Sequence, residues 1–191
     1  MTSVRPYHHG DLRRAVLAAA VATITEAGPA GVSLRDLARR AGVSHAAPAH
    51  HFGDKAGVLS AVAAEGFDLL ADELTAALQG TQDFLEVGVA YVRFAVQHRA
   101  HFEVMFRPDL YHPDDGAVLA ARDRASEALA SGIGSLPDKQ AGPDARLAGI
   151  AAWSLVHGFA TLWLNGALPT ELGDNPETVA RAVAAILFAA P

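Results

Sequence analysis

The chain has 191 residues and 51% of them are hydrophobic, which is enough for one large domain or two small ones with a buried core. The absence of cysteine excludes disulfides, a zinc ribbon and a cysteine nucleophile, and it agrees with a reducing, cytoplasmic environment. The net charge is −6, but residues 1–55 carry seven Lys or Arg against four Asp or Glu, so this segment is net +3 and the remainder is net −9. The charge therefore favours the N-terminal segment as the place for nucleic-acid contact.

The first helix is predicted from a four-residue apolar period. Leu12, Val16, Ala20 and Ile24 recur at this spacing, which indicates a helix over 11–27. The sequence EAGPAG that follows ends the helix, because glycine and proline do not continue one.

Two short helices are predicted next, joined by the tight turn AGVS. Ser33 is a candidate N-cap of the first, with Asp36 three residues later as in a capping box. Gly42 is placed to end this helix in the left-handed conformation. Ser44 is a candidate N-cap of the second, in which Pro48 lies in the first turn or just beyond it. Such a pair forms a helix-turn-helix unit, whose second helix can enter a major groove.

The rest of the chain also has helical periods, and it contains no convincing alternating strand pattern or Asn-Gly hairpin turn. Further helices are predicted over approximately 55–78, 83–98, 98–106, 116–130, 144–165 and 176–189. The sequence therefore predicts an all-α fold of about nine helices.

The most apolar segment is LAGIAAWSLVHGFATLWL, residues 147–164, which carries no formal charge over 18 positions. Its length would allow a membrane span. Ser154, His157 and four alanines suit a helix packed within a protein better, and no basic cluster accompanies it. The N-terminus also lacks the apolar run of a signal peptide, so we predict no membrane partner.

The run SLRDLARRAGVS at residues 33–44, followed by HFGDK at 51–55, resembles the TetR/AcrR family of bacterial repressors, and the likeness extends over essentially the whole chain. The segment AAWSLVHGFATLWL is similar to a subgroup with a Trp-x-x-x-His-Gly signature in its regulatory domain. The resemblance implies a homodimeric, ligand-released repressor, with a DNA-binding domain over 1–54 and a regulatory and dimerisation domain over 55–191. Its two recognition helices would meet half-sites about 34 Å apart on operator DNA.

The resemblance also implies which residues face DNA. They are Ser33, Arg35, Ser44, His45, Ala46, Ala47, Ala49, His50 and Lys55. Ala46 and Ala47 are placed to meet thymine methyl groups. The family usually has Tyr at the position of Ala49, often followed by Arg at the position of His50, so both differences remove phosphate affinity.

The histidines of the second short helix allow three interpretations. A metal site is disfavoured, because the stretch that holds them contains no cysteine or acidic residue. We expect DNA contact for His45 and His50, and packing beside Phe52 for His51.

Aromatic and methionine residues of the central helices are candidates for a small-molecule pocket, although residues of this kind also form ordinary core. The candidates are Phe94, His98, Phe102, Met105 and Phe106, among which a histidine would orient a ligand. Trp153 and His157 are four residues apart and share a helix face, which looks either into the pocket or into the dimer interface.

The sequence contains no Gly-x-Ser-x-Gly, His-Glu-x-x-His, phosphate-loop or Rossmann fingerprint, so we predict neither enzymatic activity nor a cofactor. The favoured function is a regulator that binds a double-stranded DNA operator and a small, largely apolar effector. The alternative is a helical dimeric small-molecule-binding module with weakened or lost operator recognition, which Ala49 and the small positive charge of the N-terminal segment favour.

Overall fold

Nine α-helices and two 3-10 turns make up the described part of the computed structural model, residues 9–134 and 145–188. The helices are α1 His9–Ala27, α2 Leu34–Ala41, α3 Ala47–Phe52, α4 Lys55–Thr81, α5 Phe84–Gln97, α6 Arg99–Met105, α7 Gly116–Gly134, α8 Ala145–Leu164 and α9 Pro176–Phe188, and the 3-10 turns are Pro29–Gly31 and Thr170–Leu172. No strand occurs within the described residues, so the prediction of an all-α fold of about nine helices is confirmed.

The described residues form two compact units, and the chain enters each of them twice. Unit 1 comprises the chain up to Gly66 together with Ala100–Leu119, and unit 2 comprises Phe67–Arg99 together with the chain from Ala120 onward. Helices α4 and α7 therefore each contribute one part to unit 1 and another to unit 2. The predicted boundary between a DNA-binding domain over 1–54 and a regulatory domain over 55–191 divides the chain by function, whereas these units divide it by compactness. That boundary stays a prediction.

The core of unit 1 follows the four-residue period of α1. Val16, Ala20 and Ile24 are almost completely buried, as is Leu37 of α2. Helices α2 and α3 both contact α1, and they have only eight and six residues, which is too short for a stable isolated helix. Burial contributes about 1.5–3 kcal/mol for each large aliphatic side chain, so this shared core holds the two short helices in place.

Helix α6 approaches α4 closely at Gly66. A side-chain carbon at Gly66 would lie 2.7 Å from Met105 Sδ and 2.9 Å from His101 Cβ. His101 is buried, and its Nε2 lies 3.1 Å from Oε2 of Glu65, the neighbour of this glycine on α4. The spacing of the two helices therefore requires a residue without a side chain at this position.

The loop after α6 is attached to the start of α4. The backbone N–H of His112 donates to Ser60 Oγ at 3.0 Å, and His112 Nε2 lies 3.1 Å from Asp54 Oδ1. The same carboxylate oxygen accepts the N–H of Gly57 at 2.8 Å, in the manner of a helix N-cap. The Gly57 N–H and then the His112 imidazole hold the pKa of the Asp54 carboxyl below its usual range.

Helix α5 is the central helix of unit 2. Val87, Val89, Tyr91, Val92 and Phe94 are each at most 1% exposed, so the helix is covered on all sides. Helices α8 and α9 both contact it. The side chains of α5 therefore set the spacing of the other helices in this unit.

Two bidentate ion pairs join α5 to α9. Arg93 donates from Nε and Nη2 to the two carboxylate oxygens of Glu177 at 3.0 and 2.8 Å. Arg181 donates in the same way to Glu86, at 2.8 Å for each bond. The guanidinium groups hold the pKa values of Glu86 and Glu177 below their usual range. Because the side chains are partly exposed, solvent screening limits each pair to about 1 kcal/mol or less.

Helix α8 contains the one segment among the described helices that is long and apolar enough to cross a membrane. Arg146–Leu164 reaches a mean hydropathy of 1.5. Length and composition alone are weak evidence for a span, because core helices of soluble proteins share them. Only 28% of the residues in this window are fully buried within the chain, and the others are partly or largely exposed.

Replacing Gly66 by alanine is expected to destabilise the protein by about 1–3 kcal/mol, because the added methyl group overlaps with Met105 and His101. Gly80→Ala on the same helix is the matched control. A side chain there meets nothing within 4 Å, and alanine is the better helix former, so no loss of stability is expected. Urea denaturation followed by circular dichroism measures both variants, and equal stability of the two would contradict the close α4–α6 contact.

Candidate DNA-binding surface and regulatory core

Helix α2 begins and ends as its sequence predicts. Ser33 Oγ accepts the backbone N–H of Asp36 at 3.2 Å, which confirms the predicted N-cap. Gly42 follows the helix with φ 66° and ψ 30°, the left-handed conformation that was expected. The next amide, that of Val43, donates to the carbonyl oxygen of Ala38 at 3.0 Å, and this bond fixes the reversal of the chain.

Helix α3 begins later than expected, and the prediction that Ser44 caps it is wrong. The N-cap position is Ala46, which has no side-chain acceptor, and a turn precedes it. The carbonyl oxygen of Ser44 accepts the N–H of Ala47 at 3.0 Å, so this serine belongs to that turn. Pro48 lies in the first turn of the helix as predicted, where its missing N–H costs little.

Most of the predicted DNA-facing residues are exposed on one short segment of unit 1. The exposed ones are Ser33, Arg35, Ser44, His45, Ala46, Ala49 and His50. Lys55 is half-buried, and its Nζ donates to the carbonyl oxygen of Ala30 at 3.0 Å. Ala47 is only 9% exposed, because its methyl group belongs to the core beneath α3, so the expected contact of this methyl with thymine disagrees with its burial.

Two of the three arginines of α2 are paired with acidic groups. Arg39 Nη2 lies 2.6 Å from Asp36 Oδ1, and Arg40 bonds to Asp36 Oδ2 and to Glu26 Oε2, each at 2.8 Å. Arg39 and then Arg40 hold the pKa of the Asp36 carboxyl below its usual range, and Arg40 does the same to Glu26. Arg35 is exposed, and no described residue pairs with its side chain. The positive charge available to DNA on α2 is therefore concentrated at Arg35.

The end of α3 is partly covered. His51 is half-buried and its ring lies 5.3 Å from that of His50, edge to face. The guanidinium of Arg13 lies 5.5 Å from the centroid of the Phe52 ring, a cation–π contact between α1 and α3. Among the described residues, no three His, Asp or Glu side chains come together in a way that could hold a metal ion.

Five of the seven predicted pocket residues belong partly to unit 1 and partly to unit 2, and each unit is described by itself. In unit 1, Phe102 and Met105 are buried and Phe106 is half-buried, with the two phenyl rings 5.3 Å apart. In unit 2, Phe94 is buried and stacks on the half-buried His98 at 5.2 Å. Their role in a ligand pocket stays a prediction.

Trp153 and His157 of unit 2 meet at a third residue that sequence reasoning missed. The Tyr91 hydroxyl lies 2.9 Å from His157 Nδ1 and accepts the indole N–H of Trp153 at 3.2 Å. Tyr91 is 1% exposed, whereas Trp153 is 38% exposed. Burial lowers the pKa of His157 and raises that of Tyr91, so both side chains are neutral near pH 7.

A small cavity of about 20 Å³ lies in unit 2 between α5, α7, α8 and α9, with room for about one water. It is lined by Phe84, Leu85, Val87, Gly88, Tyr91, Leu129, Ala152, Val156 and Ala184. None of the seven residues predicted for the pocket is among them. In the sequence, Tyr91 stands out only as an aromatic residue with a hydroxyl group on the mostly apolar helix α5, and this does not show which residues the hydroxyl contacts.

Comparison with protein families identifies both parts of the chain. Residues 16–62 match the model of bacterial regulatory proteins of the tetR family. Residues 84–186 match the tetracyclin repressor-like C-terminal domain, and this match alone covers more than half of the chain.

Solved structures share the fold over nearly the whole length. A protein of unknown function from Rhodococcus sp. RHA1 is 34% identical, with a TM-score of 0.80 over 97% of this chain and 98% of that chain. PfmR, a TetR family transcriptional regulator from Thermus thermophilus, is 25% identical, with a TM-score of 0.68 over 90% and 96%. AibR, solved in complex with isovaleryl coenzyme A and operator DNA, is 19% identical, with a TM-score of 0.61 over 93% and 98%. Among curated proteins no match was found.

The two family models match the chain in the order DNA-binding part first and C-terminal part second. The fold of the chain is also shared with a known regulator of this family. The N-terminal model covers the helix-turn-helix, and the C-terminal model covers the Tyr91 cluster and the cavity. The chain therefore belongs to the TetR family of transcriptional regulators, which join an N-terminal DNA-binding domain to a C-terminal ligand-binding domain.

Proposed function

We propose that this chain is a cytoplasmic, ligand-responsive repressor that binds operator DNA as a homodimer and is released by a small, largely apolar effector. The observation that carries the proposal is the exposed surface of α2 and α3, where Arg35 has no acidic partner while its neighbours Arg39 and Arg40 do. A cation without a partner beside a recognition helix is suited to a backbone phosphate.

The remaining contacts are assigned by position. Ser33 and Ser44 flank α2 with exposed hydroxyl groups, which donate to phosphate oxygens in DNA complexes. His45, Ala46 and His50 are exposed around the short helix α3, where side chains can reach base edges or phosphates. The fold accommodates both kinds of ligand, since AibR was solved with operator DNA and isovaleryl coenzyme A together.

The homodimer is supported by an uncovered apolar surface. Leu147, Ile150 and Leu162 of α8 are 63%, 49% and 47% exposed, and Ile186 of α9 is 78% exposed. Isolated exposed apolar residues are common, but several of them along one helix, in a window where only 28% of the residues are fully buried, support the proposal of a contact surface. A second copy would cover the same surface of its partner about a two-fold axis.

We also place the chain in the subgroup with the Trp-x-x-x-His-Gly signature. Trp153 and His157 carry the signature and bond to the same Tyr91 hydroxyl. A side chain at Gly158, the third signature residue, would meet nothing within 4 Å, so it lies open on α8. This position suits close approach of another helix.

Operator binding is the direct test of the proposed function. Fluorescence anisotropy with DNA from immediately upstream of the chain's own gene, over a salt series and against random duplex, should show specific binding with a steep salt dependence. Arg35→Ala should weaken binding about tenfold or more and lower the salt slope by about two per dimer, because two phosphate contacts are lost. Arg39→Ala is the matched control and should change affinity less than about threefold, since its charge is already paired.

Binding equal to random duplex at every salt concentration would contradict the repressor proposal and favour the binding module without operator recognition. An Ala49→Tyr, His50→Arg variant then distinguishes a weakened surface from a wrong operator. Gain of specific binding by this variant would locate the weakness in α3.

A His45→Ala, His50→Ala variant should weaken operator binding about tenfold at fixed pH and salt, because both side chains are exposed around α3 and each can donate or accept a hydrogen bond to a base edge or a phosphate. The same anisotropy assay measures the variant. An affinity equal to that of the unchanged protein would remove these histidines from the proposed surface.

Ile150→Glu should raise the dissociation constant of the homodimer about 100-fold or more, because an unpaired carboxylate would be buried in an apolar interface. Leu172→Glu is the matched control, since Leu172 is 48% exposed against 49% for Ile150 but lies in a 3-10 turn outside α8 and α9. Sedimentation velocity over a concentration series measures both. Equal masses for the two variants at all concentrations would argue against the α8 interface.

A further inference from the structure

Arg13 is an exposed cation at the edge of the buried face of α1. Val16 and Leu17, three and four residues further along the helix, are buried, whereas Arg13 itself is exposed. Among the residues whose side chains the structure describes, none forms an ion pair with its guanidinium. The DNA contacts proposed for α2 and α3 leave this cation without a role.

The Arg13 guanidinium is held against the ring of Phe52, the last residue of α3. Its central carbon lies 5.5 Å from the ring centroid, and Phe52 is half-buried, so the ring is a fixed support for the cation. An aromatic ring attracts a cation without neutralising it, whereas the carboxylates that pair with Arg39 and Arg40 do neutralise them. Arg13 therefore keeps its positive charge and N–H donors for an oxygen acceptor.

The ring of Phe52 places this cation beside Ala49. The two residues are three apart on α3, so they are neighbours on its surface. Ala49 is exposed and has only a methyl group, so its side chain supplies no hydrogen-bond donor at this point. His50 is two residues from Phe52 and lies on nearly the opposite side of the helix. Arg13 and His50 therefore stand on the two flanks of α3.

A phosphate oxygen is the acceptor that suits this arrangement. A guanidinium binds phosphate through two parallel N–H···O bonds. Because the Phe52 ring already holds the Arg13 side chain, binding costs less side-chain freedom than it would for a mobile arginine. A helix in a major groove has a sugar–phosphate backbone along each side, which matches a cation on the flank of α3.

We propose that Arg13, held on the Phe52 ring, binds a backbone phosphate at the edge of the major groove that α3 enters. The contact comes from α1 and supplies the donors that the side chain of Ala49 lacks. It rests on the proposed function, because it requires DNA bound by α3. It does not depend on the operator sequence, since every position of a duplex carries a phosphate.

The test is fluorescence anisotropy of the full-length protein with the upstream DNA and with random duplex, each over a salt series. Arg13→Gln should weaken binding to both duplexes about tenfold and lower the salt slope by about two per dimer, because each protomer loses one phosphate contact. Arg122→Gln is the matched control, since it removes the same charge from an exposed position on α7, outside the helix-turn-helix. It should change either affinity less than about twofold.

Two further variants separate the charge from its support. Arg13→Lys keeps the charge but not the planar fork, so affinity should fall about threefold while the salt slope stays the same. Phe52→Leu removes the ring and should give the same result, because Arg13 remains but is no longer held. Thermal unfolding confirms that each variant is folded. Should Phe52→Leu not fold, the two variants at the exposed Arg13 decide the outcome.

An unchanged affinity and salt slope in Arg13→Gln overturn the phosphate contact, while binding by the unchanged protein keeps the proposed function. A loss confined to the upstream DNA, with an unchanged slope, also overturns it, because Arg13 would then only position α3. If the unchanged protein binds both duplexes equally, the operator assignment fails, but a lower slope in Arg13→Gln still supports the contact. If the unchanged protein binds neither duplex, the proposed function and this contact fail together.

Discussion

The DNA-facing surface depends on burial beneath two helices that cannot form alone. Helices α2 and α3, with eight and six residues, gain their stability from the core they share with α1. The requirement explains the composition of α3, since Ala47 and Pro48 are buried and leave its other residues for recognition. A residue in this helix serves either the core or the DNA, and Ala47 serves the core.

Local pairing occupies several of the cations that give the N-terminal segment its positive charge. Arg39 and Arg40 are paired to Asp36 and Glu26, and Lys55 bonds to a backbone carbonyl. These interactions stiffen the helix-turn-helix, but each exposed pair contributes about 1 kcal/mol or less. The pairing also offsets charge that phosphates would otherwise attract. We therefore expect DNA binding to depend on the few cations that have no acidic partner. Because Arg35 is one of these and Arg39 is not, replacing each of them separately tests this expectation directly.

The sequence predicts those features that arise from neighbouring residues. Helix bounds follow from apolar periods and from glycine and proline, and the Ser33 cap and the Gly42 turn need only a few adjacent positions. The same reasoning failed for Ser44, because a further turn separates it from α3. It placed Trp153 and His157 together, four residues apart, but it could not find Tyr91, which lies more than 60 positions away in the chain. Cavities and bridging hydroxyl groups depend on such distant contacts.

Helix α8 has apolar residues on two sides, one facing the interior of unit 2 and one exposed, and together they account for its membrane-like composition. Its buried side supplies Ala152 and Val156 to the cavity wall, and its exposed side carries Leu147 and Ile150 for the proposed dimer. A helix that is apolar on both sides reaches a high mean hydropathy whether a bilayer or protein surrounds it. Trp153 lies between the two sides, partly exposed and bonded to Tyr91. The same helix therefore serves the interior of unit 2 and the proposed dimer at once.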